Sequence, residues 1–199
     1  MRQIYLASAS PRRQDILKTA GFSFSTIIAN VSEEIHENRA DKMVEILADR
    51  KASFVAEMMA QYGNYLIIGA DTVVYLDGTQ LGKPSSRKEA HEGLEMLAGN
   101  THQVITGVSL YYDSSDESGV PLHKNVKFHA TTEVDVAPMT TREIEDYLDT
   151  GEYIDKAGGY GIQGAFSKFI TGIRGEYNNV VGFPIAKFYS ECQRLGLFR

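Results

Sequence analysis

The sequence predicts a mixed α/β fold: one mixed sheet flanked by helices, in a single domain spanning residues 1–199 with at most two lobes. Three observations carry this. Strand-like and helix-like segments intermix without strict βαβ alternation, which argues against a doubly wound parallel sheet. One segment, YLIIGADTVVYL, is nearly all apolar before Asp71, as expected of a strand covered on both faces. The 199 residues, 43% apolar and 23% charged, suffice for a sizeable core without disulfides.

Taken in order, Gln3 to Ser8 reads as a short buried strand. Ser10-Pro11 follows as an N-cap with proline in the first helical position, opening a helix to Thr19 that Gly21 stops. Phe22 to Ala29 partly alternates and predicts a strand. Arg39 to Tyr62 carries apolar residues at helical spacing and is ended by Gly63. After the central strand, Asp77-Gly78 marks a hairpin that returns through Gln80 to Gly82. A serine-capped helix is expected from Ser85 to Leu97. Two long strands follow, His102 to Tyr112 and Asn125 to Val136, joined by a polar turn (DSSDESGVP). Thr140 to Glu143 has the form of a capping box for a helix reaching Leu148. The glycine-dense DKAGGYGIQG, a strand over Phe166 to Ile173 and a last helix from Pro184 to Leu195 complete the chain.

Composition excludes several function classes. Twenty Lys and Arg against 26 Asp and Glu leave a net charge of −6, the wrong sign for a nucleic-acid polymer surface. A small anion needs only a local cluster of cations, so it is not excluded. No run approaches the roughly 18 apolar residues of a membrane helix. The N-terminal apolar stretch is too short for a secretory signal, so a cytoplasmic protein is expected. The lone cysteine, Cys192, reads as a buried structural thiol. The five histidines show no HxH or HExxH spacing, and neither a Walker nor a Rossmann glycine motif is present.

Several residues break local rules. Arg12 and Arg13 fall in the first turn of a helix, where the macrodipole makes each cost roughly 0.3–1 kcal/mol unless an anion is bound. With Ser8, Ser10 and backbone N–H groups beside them, they form the parts of a phosphate site. Outward pairing of both with Asp15 or other carboxylates is the alternative. Asp71 ends an apolar strand, a costly place for a carboxylate without a metal, a cation or a proton-transfer role, unless it caps a turn with Thr72. Lys51 borders the apolar stripe of the long helix with no carboxylate three or four residues away, so it either serves a site or snorkels to water. Lys83 in LGKP reads by itself as a solvated turn lysine, and Glu33 and Glu34 in NVSEE as surface charges, with ligand or cation contact the alternative for each; the loop opened by Asp155-Lys156 reads equally well as a tight turn or as close approach to a ligand.

In combination, SASPRR (8–13), GADTVV (69–74), LGKP (81–84), HQVITGV (102–108), DKAGGYGIQG (155–164) and NVVGFP (179–184) resemble the Maf family of house-cleaning nucleoside triphosphate pyrophosphatases, in the family's order along nearly the whole chain. The resemblance implies an elongated mixed α/β structure of the inosine triphosphatase type, with a central cleft between two lobes. It implies hydrolysis of a nucleoside triphosphate to monophosphate and pyrophosphate with Mg²⁺ or Mn²⁺. Asp71 falls on the family's proton acceptor. Arg12, Arg13, Lys51 and Lys83 fall on its triphosphate-binding positions. From the residues themselves, Ser8 and Ser10 at the turn and Lys156 in the glycine loop are expected to join them in binding substrate, and Asp71 with Glu33 to hold the metal. Arg12, Thr72 and Gln163 occupy the positions that separate subfamilies and look like the branch acting on dTTP and UTP. A homodimer fits the family. A non-enzymatic nucleotide-binding regulator of cell division is the competing expectation, distinguished by the absence of turnover.

Overall fold

In the computed structural model, which describes residues 2–59, 62–115 and 121–198, the chain runs β1 (Gln3–Leu6), α1 (Pro11–Thr19), β2 (Phe24–Thr26), α2 (Ala40–Met58), β3 (Tyr65–Leu76), β4 (Thr79–Leu81), α3 (Arg87–Leu97), β5 (Thr101–Ser115), β6 (Pro121–Val136), α4 (Thr141–Leu148), β7 (Ile170–Arg174), α5 (Tyr177–Val181) and α6 (Ile185–Arg194). Two 3-10 turns, Ala157–Gly159 and Ala165–Phe169, precede β7. The strands form one sheet in the order β2-β1-β3-β5-β6-β7, with β4 on β3. The sheet is mixed, as expected: β1 is parallel to both β2 and β3, while β3–β4 and β6–β7 are antiparallel.

The chain divides into two compact units. The first comprises Met1–Asp71, Thr106–Ala130 and Gly182–Arg199; the second comprises Thr72–Ile105 and Thr131–Val181. In the first, α2 lies against the sheet over two glycines. A Cβ at Gly69 would stand 2.1 Å from the Ala48 carbonyl oxygen, and one at Gly107 2.3 Å from the Val44 carbonyl carbon. Leu6, Val44, Ala48, Ala52, Val55, Ile67, Ile68 and Val108 are buried there. Phe22 meets Phe188 of α6 edge-on at 5.5 Å between centroids. In the second unit, α3 packs on α4 and on the turn Ala157–Gly159. Its buried residues include Leu94, Leu97, Ile144, Tyr160 and Phe166.

Several elements differ from expectation. β2 keeps only three residues, because β1 offers only Ile4, Tyr5 and Leu6 to pair with them. Phe166 and Phe169 lie in a 3-10 turn rather than a strand. Residues three apart face opposite ways in a strand but the same way in a 3-10 turn, and both rings are buried. α3 is capped by Ser86, whose side chain accepts the Glu89 N–H, while Ser85 donates to the Glu89 carboxylate. α2 begins at Ala40, and its expected end near Tyr62 and the polar turn after Asp113 lie partly outside the described residues. α5 was not expected from the sequence. It carries Asn179, fully buried, whose amide donates to the Val104 carbonyl at 2.9 Å and Thr132 Oγ1 at 3.1 Å.

Candidate active site

Proline in the first helical position starts α1 where the sequence places it, but Ser10 does not cap the helix with its side chain. Its N–H donates instead to Ser8 Oγ at 3.2 Å, folding the turn back on the end of β1. The same Ser8 Oγ, buried, accepts Arg13 Nη1 at 3.2 Å, while Arg13 Nε donates to the Gly182 carbonyl at 2.9 Å. Arg13 therefore turns inward, onto Ser8 and the Gly182 carbonyl. Burial lowers the pKa of its guanidinium, Asp71 and Glu33 act to raise it, and Arg12 acts to lower it further. These four charged groups share one electrostatic neighbourhood. No acidic residue occupies the first turn of α1 to offset the two arginines.

α2 contributes Lys51. The close approach of the helix over Gly69 brings this side chain down to the end of the apolar half of β3. Its Nζ lies 2.6 Å from Asp71 Oδ1 and 2.7 Å from Glu33 Oε1. Lys51 and Asp71 retain 13% and 15% side-chain exposure and Glu33 54%, so the pair is shielded on one side and reachable on the other. The resemblance assigns Lys51 to the triphosphate; in the structure its ammonium joins the two carboxylates, which accounts for a lysine bordering an apolar stripe. In the first unit the structure thus brings together Ser8, Arg12, Arg13, Glu33, Lys51 and Asp71, with Ser10 supplying the turn.

The remaining predicted residues belong to the second unit. Thr72, half-buried, follows Asp71 directly, and Lys83 is exposed just beyond β4. The Gly82 carbonyl accepts the Gly158 N–H at 2.9 Å, tying the LGKP segment to the glycine loop. In that loop Asp155, Gly158 and Gly159 all adopt positive φ. A Cβ at Gly158 would meet Val74 Cγ2 at 2.9 Å, so glycine is required there on two grounds. Lys156 donates to the Glu152 carbonyl, and its stem crosses Gly161, where a Cβ would lie 2.9 Å from Lys156 Cε. Gln163 is exposed.

Two supports of this loop were not anticipated. The Glu152 carboxylate accepts the Ala165 N–H at 2.9 and 3.1 Å, closing the loop on itself. His102 Nε2 hydrogen-bonds the Tyr160 hydroxyl at 2.7 Å. Both rings are buried; burial pushes the imidazole down to about 4 and the Tyr160 phenol upward. A histidine inside the apolar run HQVITGV was the available signal for this pair. Nothing in the local sequence distinguished Glu152.

Among the described residues no three His, Cys, Asp or Glu side chains gather as a metal cluster. Asp71 and Glu33 nonetheless converge on one cation, the Lys51 ammonium, through one oxygen each. Two carboxylate oxygens supplemented by phosphate oxygens are the donor set Mg²⁺ characteristically takes, so these residues fit such an ion. With three cationic side chains and two carboxylates, the first-unit cluster can hold a phosphorylated ligand and accept a proton beside it.

Comparison with known proteins agrees over the full length. A family model described as Maf-like protein matches residues 3–195. A dTTP/UTP pyrophosphatase of Desulforamulus reducens is 44% identical over 99% of this chain and 98% of its own. One of Bacillus pumilus is 41% identical over the same shares. One of Symbiobacterium thermophilum is 43% identical over 98% of this chain and 95% of its own. A solved dITP/XTP pyrophosphatase of Mycobacterium abscessus aligns with 98% of this chain and 95% of its own at 12% identity and a TM-score of 0.37.

Proposed function

The chain belongs to the Maf family, and from that premise we propose that it is a dTTP/UTP pyrophosphatase, releasing pyrophosphate and leaving the nucleoside monophosphate in a house-cleaning role. The observation that carries the reading is the convergence of Asp71 and Glu33 on Lys51, in the electrostatic neighbourhood of Arg12 and Arg13. Its relatives at 41–44% identity bear that activity in their names.

The reaction is attack of water on the α-phosphorus with pyrophosphate leaving. Most of its catalysis is positioning and charge stabilisation. Asp71 accepts the water's proton at a carboxylate oxygen. Arg12 and Arg13, with Ser8 and Ser10 at the turn, neutralise and orient the phosphates as charge builds on the leaving group. Arg13 is fixed for this by its bonds to Ser8 Oγ and the Gly182 carbonyl. Lys51, Lys83 and Lys156 add positive charge for the triphosphate. Asp71 and Glu33 would hold a divalent cation together with phosphate oxygens, and such an ion supplies Lewis acidity toward water and phosphate. Thr72 and Gln163, with Arg12, read the base. Polar groups matched to a uracil or thymine edge reject bases that leave them unpaired. No helix among the described residues is long and apolar enough to cross a membrane. The family reading adds a cytoplasmic homodimer, which light scattering would check.

The test is direct. Purified protein with UTP and Mg²⁺ should release pyrophosphate, and Asp71→Asn should reduce release by roughly a hundredfold or more with an unchanged circular dichroism spectrum. Release of orthophosphate alone would overturn attack at the α-phosphorus. Product no more than stoichiometric with protein would make the chain a binding regulator instead.

A further inference from the structure

Lys51 does something that a phosphate ligand alone would not. Its Nζ lies 2.6 Å from Asp71 Oδ1 and 2.7 Å from Glu33 Oε1, so it holds both carboxylates that the proposed function assigns to a divalent cation. A Mg²⁺ or Mn²⁺ taking the same oxygens at about 2.1 Å would stand within about 5 Å of the ammonium. Two like charges that close oppose each other strongly where water is partly excluded, and the Lys51 side chain is only 13% exposed. The charge balance points the same way. Arg12, Arg13 and Lys51 outnumber Asp71 and Glu33, so an incoming cation meets a positive cluster and an incoming triphosphate a favourable one. Lysine is suited to moving between the two partners, because its ammonium is a point charge on a flexible four-carbon stem.

We propose that Lys51 is a resident counter-ion of the Asp71–Glu33 pair, keeping a divalent cation off these carboxylates until nucleotide phosphates draw the ammonium away. This rests on the reading of Asp71 and Glu33 as the metal's protein ligands. It makes metal and nucleotide binding positively coupled. The protein without nucleotide binds metal weakly, and the phosphates both attract Lys51 and complete the ion's oxygen set.

The experiment is a calorimetric Mn²⁺ titration of the whole protein, first without nucleotide and then with α,β-methylene-UTP, whose scissile bond is blocked. Without nucleotide, Lys51→Met and Lys51→Gln should bind Mn²⁺ at least roughly tenfold more tightly than wild type, in line with the effect of one unit charge at this range on a carboxylate. The exposed Lys88→Met, removed from an i,i+4 pair with Glu92, should leave the affinity unchanged. With the analogue present, the gap between wild type and the Lys51 variants should shrink. If Lys51→Met fails to fold, Lys51→Gln carries the test, since its amide keeps a polar donor on the stem without the charge. Affinities equal within twofold in wild type and variants would overturn the counter-ion role. Failure of the underlying reading looks different: adding Asp71→Asn to Lys51→Gln would then leave the tightened Mn²⁺ binding intact, placing the ion elsewhere.

Discussion

Arg13 shows how one side chain can anchor a turn while keeping a fixed guanidinium beside the proposed phosphate site. Its Nε is committed to the Gly182 carbonyl and one terminal nitrogen to Ser8 Oγ, which leaves the fork's orientation fixed. Lysine has the charge but neither the fork nor the second anchor. Arg13→Lys should therefore raise KM for UTP about tenfold and cost about 1–2 kcal/mol of stability, the scale of lost hydrogen bonds to a charged donor. Steady-state kinetics with urea denaturation checks both. The sequence made Arg13 legible as an anomaly, since arginine in a first turn opposes the helix dipole. It did not reveal the anchor, because Gly182 lies 169 residues away in the chain. The same limit applies to Ser8 and Ser10. Composition marked both as phosphate-turn residues, but only the backbone geometry decides that Ser8 holds the turn.

Among the elements, α2 is the one on which the site depends most. Lys51 reaches Asp71 only because the helix backbone approaches β3 at Gly69, a contact that leaves no room for a methyl group. Gly69→Ala would set a Cβ 2.1 Å from the Ala48 carbonyl oxygen and 2.8 Å from the Ala52 nitrogen, both backbone atoms that yield only if the helix shifts. We expect a destabilisation of about 3 kcal/mol, the upper end for overpacking. Pyrophosphate release should fall well beyond what the residual folded fraction explains, as measured by activity per folded molecule. Elements whose signals are local were readable in advance. The bounds of α1, of β3 and of α4 with its Thr140–Glu143 capping box follow from proline, apolar run and cap chemistry. α5 was not, because Asn178-Asn179 has the composition of a turn, and its helical form is held by the tertiary hydrogen bonds of Asn179.

At the level of the whole molecule, acid stability draws on three groups of the second unit, the buried His102 and the surface carboxylates Asp135 and Glu143. His102 is 1% exposed and held by burial at about 4, against a slight opposing pull from Asp135. The folded protein keeps it neutral while the unfolded chain protonates it near 6.5. Its contribution is therefore complete above about pH 6.5 and lost as pH falls toward 4, amounting to about 3 kcal/mol. Asp135, hydrogen-bonded by Arg174, and Glu143, held by the Thr140 N–H, are shifted below ordinary carboxylate values. Their share persists above the unfolded carboxylate range and fades only in stronger acid. Urea unfolding from pH 8 to pH 4 should show the first decline in wild type and a flatter profile over that window in His102→Gln. The net charge of −6, which argued in the sequence against a nucleic-acid polymer surface, gave no hint of the local balance around Asp71.

The division of the chain also sets how far apart in sequence the segments lie that close the first unit. The first unit takes residues 1–71 and 106–130 but closes only with 182–199, where Phe188 and Phe198 pack on Phe22 and the Leu197 carbonyl accepts from Arg2. The second unit, Thr72–Ile105 and Thr131–Val181, is interposed in the chain between those segments. Closing the first unit therefore joins segments about 170 residues apart in the chain, and contacts of that separation slow folding because loop entropy is lost before the contact forms.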